Sequence, residues 1–332
     1  MIDFKKLEDI IINNQNFLIT THVNPDADAI GSEIAFKKLL SILGKSSQIV
    51  NHSLTPYNLE FLDSENTIEK YDESKHKRLF NSSDVLVALD FNRSERLVSM
   101  EKGFTGSKQL KICIDHHQDP EYFVDHLFIG SEYAATGHII FDFIKSTKIV
   151  EINKEIATPL YAAIMTDTGS FRFERTNAEL HRVIADLLEK GVNPTEVYDL
   201  LYDESKLSKI KLLGRCLNSL KLIADNKIGY MELTQKDFSE LNAIESDTEN
   251  FVNYILSVEG VRLGILFIEL KNGFKVSFRS KGNIPVNKLA GKFGGGGHIN
   301  ASGARFRDQE MNSLIPKILK ESENYYNKYS KG

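Results

Sequence analysis

The sequence predicts an α/β protein in which an N-terminal parallel-sheet domain, with helices on both faces, precedes a smaller α+β domain. Short, unbroken apolar runs such as 84–90 and 111–115 alternate with helical patterns, as in sheets whose strands are buried on both faces. A polar, charged and helical stretch at 193–218 separates the two halves. Beyond it, Asn272-Gly273 lies between two strand-like runs and indicates an antiparallel hairpin.

The elements of the first half follow from the spacing of their apolar residues. Residues 29–43 have helical periodicity and end at Gly44, a residue type that favours the end of a helix. A helix over 177–190 ends before Gly191 and Asn193-Pro194. The other predicted helices are 3–14, 134–146 and 153–166, and the predicted strands are 16–20, 47–50, 84–90 and 111–115.

The second half has a different order of elements, with antiparallel pairing expected between its strands. Its predicted strands are 228–234, 261–270 and 274–280, and its last element is an amphipathic helix over 309–326. We therefore predict three segments: an N-terminal domain at 1–192, a helical linker at 193–218 and a C-terminal domain at 219–332.

Composition limits the class of protein. Hydrophobic residues make up 41% and charged residues 26% of the chain, which favours folded domains over long disorder. No apolar run approaches the roughly 20 residues of a membrane-spanning helix, and the charged N-terminus does not have the pattern of a signal peptide. Cys113 and Cys216 are too few for a disulfide framework. These features predict a cytoplasmic protein that does not act at membranes.

The charge distribution limits the partners. The formal net charge is −5, so no global basic field is available to hold long duplex nucleic acid. The segment Lys271–Arg305 is an exception, with seven Lys or Arg residues and no Asp or Glu. One compact basic region on an acidic chain therefore predicts a short anionic partner.

Acidic and histidine residues concentrate where predicted elements end. The loop HVNPDAD follows strand 16–20, Asp90 ends strand 84–90, and Asp115-His116-His117 ends strand 111–115. Asp167 follows an apolar helix and begins a Gly-Ser turn. Because ligands bind at the carboxyl ends of parallel strands, we expect these side chains to face one crevice.

The chemistry of these side chains favours divalent metal ions. Neutral imidazole combined with carboxylate suits Mn²⁺, Fe²⁺, Zn²⁺ or Co²⁺, whereas an all-oxygen set would suit Mg²⁺ or Ca²⁺. Six ligands, one of them bridging, are enough for two ions that act together on a phosphate. The six candidates are His22, Asp26, Asp28, Asp90, His116 and Asp167.

Each residue also has an ordinary structural interpretation when it is taken alone. A single His after a strand is more often a capping or surface residue, and Asp26 and Asp28 could form a turn or cap a helix. Asp90 could cap a following helix, and the Asp-His-His triplet could be a surface turn. Their shared position at element ends favours a metal site.

A glycine-rich segment lies inside the basic stretch. Residues 291–303, GKFGGGGHINASG, include four consecutive glycines, which cost backbone entropy on folding. Glycines let backbone N–H groups approach an anion closely, and the nearby Arg279 and His298 fit a phosphate or carboxylate. A flexible linker is the alternative interpretation.

Together these motifs resemble those of the DHH phosphoesterase family. The matching segments of the first half are HVNPDADAIGS (22–32), VALD (87–90), DHH (115–117) and TDTGSF (166–171). The second half resembles the DHH-associated C-terminal domain through FRS (278–280) and GGGGHINASG (294–303). The resemblance spans nearly the whole chain and is greatest to the short bacterial nano-RNase and pAp-phosphatase group.

The resemblance implies roles for the site residues. His22 and Asp26 would hold one metal ion, Asp28, His116 and Asp167 the other, and Asp90 would bridge them. Asp115 would orient a neighbouring group, and His117 would contact the scissile phosphate or the leaving oxygen. The second domain would hold a terminal phosphate or nucleotide through Arg279, Gly295, Gly296, Gly297, His298 and Ser302, and Arg96 is a further substrate-contact candidate.

The implied reaction is hydrolysis of short oligoribonucleotides, as an exonuclease, and of 3′-phosphoadenosine 5′-phosphate. The two ions would be Mn²⁺, with Mg²⁺ or Co²⁺ as alternatives. The alternative functions are a phosphodiesterase for cyclic or linear dinucleotides and a non-catalytic nucleotide sensor. The preferred substrate, the cleavage polarity and the oligomeric state stay open, with a homodimer among the options.

Overall fold

The computed structural model describes residues 2–329. The chain divides into two compact units, Met1–Glu204 and Ser205–Gly332. The division falls inside the segment 193–218 that we predict as a linker, so the helix Pro194–Tyr198 belongs to the first unit and the helix Leu207–Asn218 to the second. Within residues 2–329, no helix is both long enough and apolar enough to cross a membrane.

A parallel sheet forms the centre of the first unit, as predicted, and it has two strands, Ile68–Lys70 and His126–Ile129, beyond the four predicted ones. Its strands are β1 (Asn16–Thr20), β2 (Ser46–Asn51), β3 (Ile68–Lys70), β4 (Val85–Leu89), β5 (Leu110–Asp115) and β6 (His126–Ile129). They are arranged in the order β3-β2-β1-β4-β5-β6, and every neighbouring pair is parallel. The chain order reverses between β1 and β4, which is where such sheets open a crevice for ligands.

Helices cover both faces of this sheet. They are α1 (Phe4–Asn13), α2 (Ala27–Ile42), α3 (Glu73–His76), α4 (Leu79–Ser82), α5 (Glu101–Gly106), α6 (Thr136–Thr147), α7 (Lys154–Asp167), α8 (Ala178–Glu189) and α9 (Pro194–Tyr198). Alternate residues of β1 face two apolar cores: Phe17 and Ile19 pack in one, and Leu18 packs in the other. Burial on both faces explains why the strands are unbroken apolar runs.

One glycine sets how closely two helices of the first unit approach. A Cβ atom at Gly31 in α2 would lie 2.4 Å from the carbonyl oxygen of Pro159 in α7, which is closer than packed atoms come. The backbones of α2 and α7 are therefore in contact. This contact fixes the separation of Asp28, in the first turn of α2, from Asp167, the last residue of α7.

The second unit is built on a mixed sheet. Its strands are β7 (Lys221–Ile223), β8 (Ile228–Leu233), β9 (Leu263–Leu270), β10 (Gly273–Ser280), β11 (Gly296–Gly297) and β12 (Ala301–Phe306), in the order β11-β12-β10-β9-β8-β7. The predicted hairpin is confirmed, since β9 and β10 pair antiparallel and Gly273 has a φ of +104°. The predicted antiparallel pairing is wrong for β8 and β9, which are parallel. The connection between them contains helices and is long enough for a crossover.

Helices cover both faces of the second sheet too. They are α10 (Leu207–Asn218), α11 (Gln235–Leu241), α12 (Phe251–Ile255), α13 (Val286–Gly291) and α14 (Met311–Tyr329). Phe278 of β10 packs in one core with Ile318 of α14, and Leu266 of β9 packs in another with Leu212 of α10. Because side chains alternate along a strand, Arg279 lies on the opposite face of β10 from Phe278.

Candidate metal centre

The first candidate ligands lie where β1 ends and α2 begins. Asp26 is the N-cap of α2, and its Oδ1 accepts a hydrogen bond of 3.1 Å from a backbone N–H of the first turn. Asp28 is fully buried, and its carboxylate accepts hydrogen bonds of 2.7 and 2.9 Å from the backbone N–H groups of Thr136 and Gly137. These N–H groups begin α6, where the helix dipole favours a negative charge. Asp26 therefore has the capping role considered above, whereas Asp28 is held by another helix.

Asp90 follows β4 in a left-handed backbone conformation with a φ of +65°. Few side-chain-bearing residues adopt this conformation, Asp and Asn more often than the rest, and such backbone clusters at functional sites. The Asp90 backbone N–H donates to the carbonyl of Ile114 at 3.1 Å, and its side chain is buried. The next helical turn begins only at Ser94, so Asp90 does not cap it.

The Asp-His-His triplet at the end of β5 places its three side chains differently. Asp115 is fully buried, and its Oδ1 lies 2.6 Å from Nδ1 of His117. A hydrogen bond of this length, donated by Nδ1 to the carboxylate, fixes the tautomer and the orientation of the ring. His117 is 27% exposed, whereas His116 is buried. Only His117 of this pair is accessible from solvent.

Asp167 ends α7 beside His116. Its Oδ2 lies 3.1 Å from Nε2 of His116. The three residues Gly169, Ser170 and Phe171 all have positive φ angles. This left-handed turn redirects the chain directly after Asp167. Positive φ angles are sterically unfavourable for residues with a side chain, such as Ser170 and Phe171.

The six predicted ligands come together in two groups of three, joined through Asp90. Within each group the ligand atoms lie within 4.8 Å of one another. His22 Nε2 lies 3.4 Å from Oδ2 of Asp90, and His116 Nε2 lies 3.6 Å from Oδ1 of Asp90. The two oxygens of Asp90 thus approach different groups. The groups are His22, Asp26 and Asp90, and Asp28, His116 and Asp167.

The electrostatics of the carboxylates fit a cation. Burial, followed by the charges of Asp28 and Asp26, raises the pKa of Asp90 well above its usual range. Burial and the charge of Asp167 raise the pKa of Asp28 to about 6. Crowded, buried carboxylates repel one another unless a positive charge compensates them. A divalent ion in each group would supply that charge, so the donor set fits two metal ions.

The two histidines differ in their protonation. Burial lowers the pKa of His22 to about 4, so its ring is neutral near pH 7 and has a lone pair for a metal ion. At His116, burial is outweighed by the hydrogen bond and charge of Asp167, which raise the pKa to about 9. Metal binding would require His116 to lose this proton.

Thr136 is a site residue that the sequence did not reveal. Its hydroxyl donates a hydrogen bond of 2.9 Å to Oδ1 of Asp90, and its backbone N–H contacts Asp28. We predicted a helix over 134–146 but assigned no function to Thr136. Thr136 is the first residue of α6 and not its N-cap, so the usual start signals of a helix do not mark it.

The predicted substrate residues of the second unit lie near one another on its sheet. Arg279 in β10 pairs with Ala301 in β12, and Gly296 and Gly297 pair with the same strand. A turn closed by His298 N–H donating to the Ala301 carbonyl at 2.7 Å joins β11 to β12. Their roles stay predictions.

Close packing explains part of the glycine run. A Cβ at Gly295 would lie 2.0 Å from the carbonyl oxygen of Gly303, and Gly297 has a φ of +134°. Ser302 is buried, and its hydroxyl donates to the Val286 carbonyl at 2.7 Å. The structure gives Ser302 this internal hydrogen bond, and substrate contact by Ser302 stays a prediction.

Arg96 lies in the helical turn Ser94–Met100 and has an exposed side chain. Its carbonyl accepts a hydrogen bond of 3.0 Å from the Val23 N–H, beside His22. The guanidinium charge is close enough to contribute to the lowered pKa of His22. Arg96 therefore lies next to the candidate metal centre, as its predicted role in substrate contact requires.

Comparison with known proteins identifies the family. Residues 16–164 match the DHH family, N-terminal domain, and residues 226–328 match the DHHA1 domain. The bifunctional oligoribonuclease and PAP phosphatase NrnA of Thermus thermophilus is 34% identical over 302 residues, which cover 91% of this chain and 87% of that protein. The chain belongs to the DHH family. The predicted family, fold and enzyme class, a hydrolase acting on phosphate esters, are confirmed.

The similarity extends over both units. A relative with the same name from Bacillus subtilis is 26% identical, covering 86% of this chain and 88% of its own. The crystal structure of an exopolyphosphatase-related protein from Bacteroides fragilis is similar with a TM-score of 0.89 and 30% identity, covering 97% of this chain and 96% of its own. Both folds described above are therefore present in a solved relative.

Proposed function

We propose that this protein uses two divalent metal ions to hydrolyse short oligoribonucleotides and 3′-phosphoadenosine 5′-phosphate. The observation that carries the proposal is the pair of three-residue ligand groups that Asp90 joins. The two relatives described above, in Thermus thermophilus and Bacillus subtilis, are named for both activities and match nearly the whole chain.

Each ligand group would bind one of the two ions. His22, Asp26 and Asp90 would hold one ion, and Asp28, His116 and Asp167, with the second oxygen of Asp90, the other. Bound ions would supply Lewis acidity and a hydroxide at neutral pH. Asp28 is fixed by the N-terminus of α6, so the ligands are positioned before any substrate binds.

The accessible histidine would act on the substrate. Asp115 holds Nδ1 of His117 and thereby orients Nε2 of the same ring. When the ring carries a proton on both nitrogens, Nε2 would donate a hydrogen bond to a phosphate oxygen from this position, or its proton to the leaving oxygen. Arg279, His298 and the glycines of 295–297 would bind a terminal phosphate of the substrate, which favours short substrates.

Mn²⁺ is the proposed metal. The set combines two imidazoles with four carboxylates, a mixture that suits Mn²⁺ and its transition-metal neighbours better than Mg²⁺. Co²⁺ and Mg²⁺ are the alternatives that the experiment compares.

The test is a substrate panel with product identification. Purified protein is incubated with RNA of two to five nucleotides, 3′-phosphoadenosine 5′-phosphate, and linear and cyclic dinucleotides, each with Mn²⁺, Co²⁺ or Mg²⁺. We expect hydrolysis of the first two substrates, its loss with chelator, and its loss in Asp90→Ala. Activity that survives chelation would contradict the metal assignment, and exclusive turnover of cyclic dinucleotides would contradict the substrate assignment. Tight nucleotide binding without turnover under every metal would instead indicate a sensor.

A further inference from the structure

A buried carboxyl group in α2 lies outside the two ligand groups and has no part in the proposed reaction. Glu33, in α2, is fully buried, and its Oε2 accepts a hydrogen bond of 2.8 Å from Nδ2 of Asn51, which is also fully buried at the end of β2. Among the described residues, Oε1 of Glu33 has no hydrogen-bond partner. Burying a carboxyl group is costly, so a residue chosen only for packing would be apolar.

The orientation of the Asn51 amide follows from its other partners. The backbone N–H of Thr21 donates to Oδ1 of Asn51 at 3.0 Å, and the Thr20 hydroxyl lies 3.3 Å from the same oxygen. A backbone N–H can only donate, so the oxygen of the amide must face Thr21 and the NH₂ group must face Glu33. Position 33 must therefore present an acceptor, which Glu and Gln have and apolar side chains lack.

The chain of hydrogen bonds continues to the two segments that bear Asp90 and His22. The Thr21 hydroxyl donates to the carbonyl of Leu89 at 2.7 Å. Thr21 directly precedes His22, and Leu89 directly precedes Asp90. The backbone pairing of β1 with β4 ends at Thr20, so this side-chain bond extends the connection between the two strands by one residue.

We propose that Glu33 and Asn51 are positioning residues that hold the ends of β1 and β4 at the separation needed for His22 and Asp90 to share a metal ion. The inference rests on the proposed metal-dependent function. It accounts for a buried acceptor at position 33. It also connects α2, β2, β1 and β4 through atoms that are not themselves ligands.

The electrostatics agree with this role. Burial raises the pKa of Glu33 to about 8, and the charge of Asp63 adds to the effect. A neutral carboxylic acid near pH 7 accepts the Asn51 hydrogen bond without placing a negative charge in the core of the first unit. Neutral Gln has the same acceptor and nearly the same shape, so Glu33→Gln is a matched control.

The experiment measures metal binding directly. Mn²⁺ is titrated into the metal-free full-length protein by calorimetry, and the unfolding temperature is recorded without metal. We expect Glu33→Met, which lacks an acceptor, to bind one of two Mn²⁺ ions about 10- to 100-fold more weakly, the range found for groups that orient ligands. Glu33→Gln should bind both ions nearly as wild type does.

Two further variants separate positioning from loss of stability. Leu39→Ala removes a fully buried side chain of α2 that contacts no ligand, so it should lower the unfolding temperature without changing Mn²⁺ affinity. Thr21→Val removes the bond to Leu89 with little change of shape, and tests the same connection if Glu33→Met does not fold. Wild-type protein that binds no Mn²⁺ would contradict the proposed function. If wild-type protein binds two Mn²⁺ ions and both Glu33→Met and Thr21→Val bind them with the same affinity, the positioning role is contradicted. The proposed function would then still stand.

Discussion

The hydroxyl of Thr136 donates a 2.9 Å hydrogen bond to Oδ1 of Asp90, the residue that joins the two ligand groups. Thr136 begins α6, and its backbone N–H also binds Asp28. The start of one helix therefore orients a ligand from each of two other segments. Residues that hydrogen-bond to the ligands without binding the ion determine how well a preformed site fits a metal ion.

Replacing Thr136 with Val should weaken metal binding. The change removes the hydrogen bond to Asp90 but leaves the backbone N–H that binds Asp28. We expect Mn²⁺ affinity to fall about 10- to 100-fold, measured by calorimetric titration of metal-free protein. Thr136→Ser retains the hydroxyl and should bind Mn²⁺ as wild type does. Equal affinities for the Val and Ser variants would show that this hydrogen bond has no influence on the ions.

Replacing Asp115 with Asn should slow the reaction while both metal ions stay bound. Asn presents either an amide NH₂ or a weaker acceptor to Nδ1 of His117, so the tautomer and orientation of that ring are lost. We expect kcat to fall about 10²- to 10⁴-fold, measured in a steady-state assay. The metal content is measured on the same sample. Loss of an ion from Asp115→Asn would assign Asp115 to the ligands, since Asp90, Asp115 and His117 also form a compact donor group.

Replacing Arg279 with Ala should impair substrate binding without affecting the metal ions. The loss of charged hydrogen bonds to a phosphate corresponds to about a 10- to 100-fold fall in kcat/KM. Arg279→Lys retains the charge but not the bidentate geometry, so its kcat/KM should be intermediate. Unchanged kinetics on both proposed substrates would remove Arg279 from the binding residues.

Replacing Gly31 with Ala should destabilise the first unit. The added Cβ would lie 2.4 Å from the Pro159 carbonyl oxygen, so α2 and α7 would have to separate. We expect a loss of about 1–3 kcal/mol in the free energy of unfolding, measured in urea. At Gly106, in α5, an added Cβ meets nothing within 4 Å, so Gly106→Ala is the matched control. Equal stability of the two variants would show that the contact between α2 and α7 is not close.

The stability of wild-type protein should fall as pH rises towards 8 because of Glu33. Its pKa is raised by burial from 4.5 to about 8 in the folded state, so between these values the folded protein binds more protons than the unfolded chain. The free energy of unfolding should decrease through this window by at most about 1.4 kcal/mol per pH unit. Glu33→Gln cannot titrate.

The measurement is the difference in unfolding free energy between Glu33→Gln and wild type at pH 6 and pH 9. Taking the difference removes the contribution of groups that titrate equally in both proteins. The unfolding free energy of Glu33→Gln should increase relative to that of wild type as the pH rises. A difference that is the same at the two pH values would show that Glu33 is charged in the folded protein at neutral pH.

The main strands around the site and the six candidate ligands could be predicted from the amino-acid sequence. Strands 16–20, 84–90 and 111–115 are unbroken apolar runs, and their predicted positions agree with β1, β4 and β5. A strand that is buried on both faces is a continuous apolar run, which can be recognised locally in the sequence. The carboxyl ends of parallel strands lie at the same edge of the sheet, so residues that follow such runs are expected to lie together. The resemblance to a known family then supplied the roles, which composition and spacing could not.

The contacts that hold those ligands in place could not be predicted from the sequence. Thr136 binds Asp28 across 108 positions of sequence, and Asn51 binds Glu33 across 18. The parallel pairing of β8 with β9 likewise depends on a crossover that the hairpin signal at Asn272-Gly273 does not report. Such contacts join segments with no shared local pattern, because they arise from packing between whole elements. The residues that orient the ligands are therefore visible only in the folded protein.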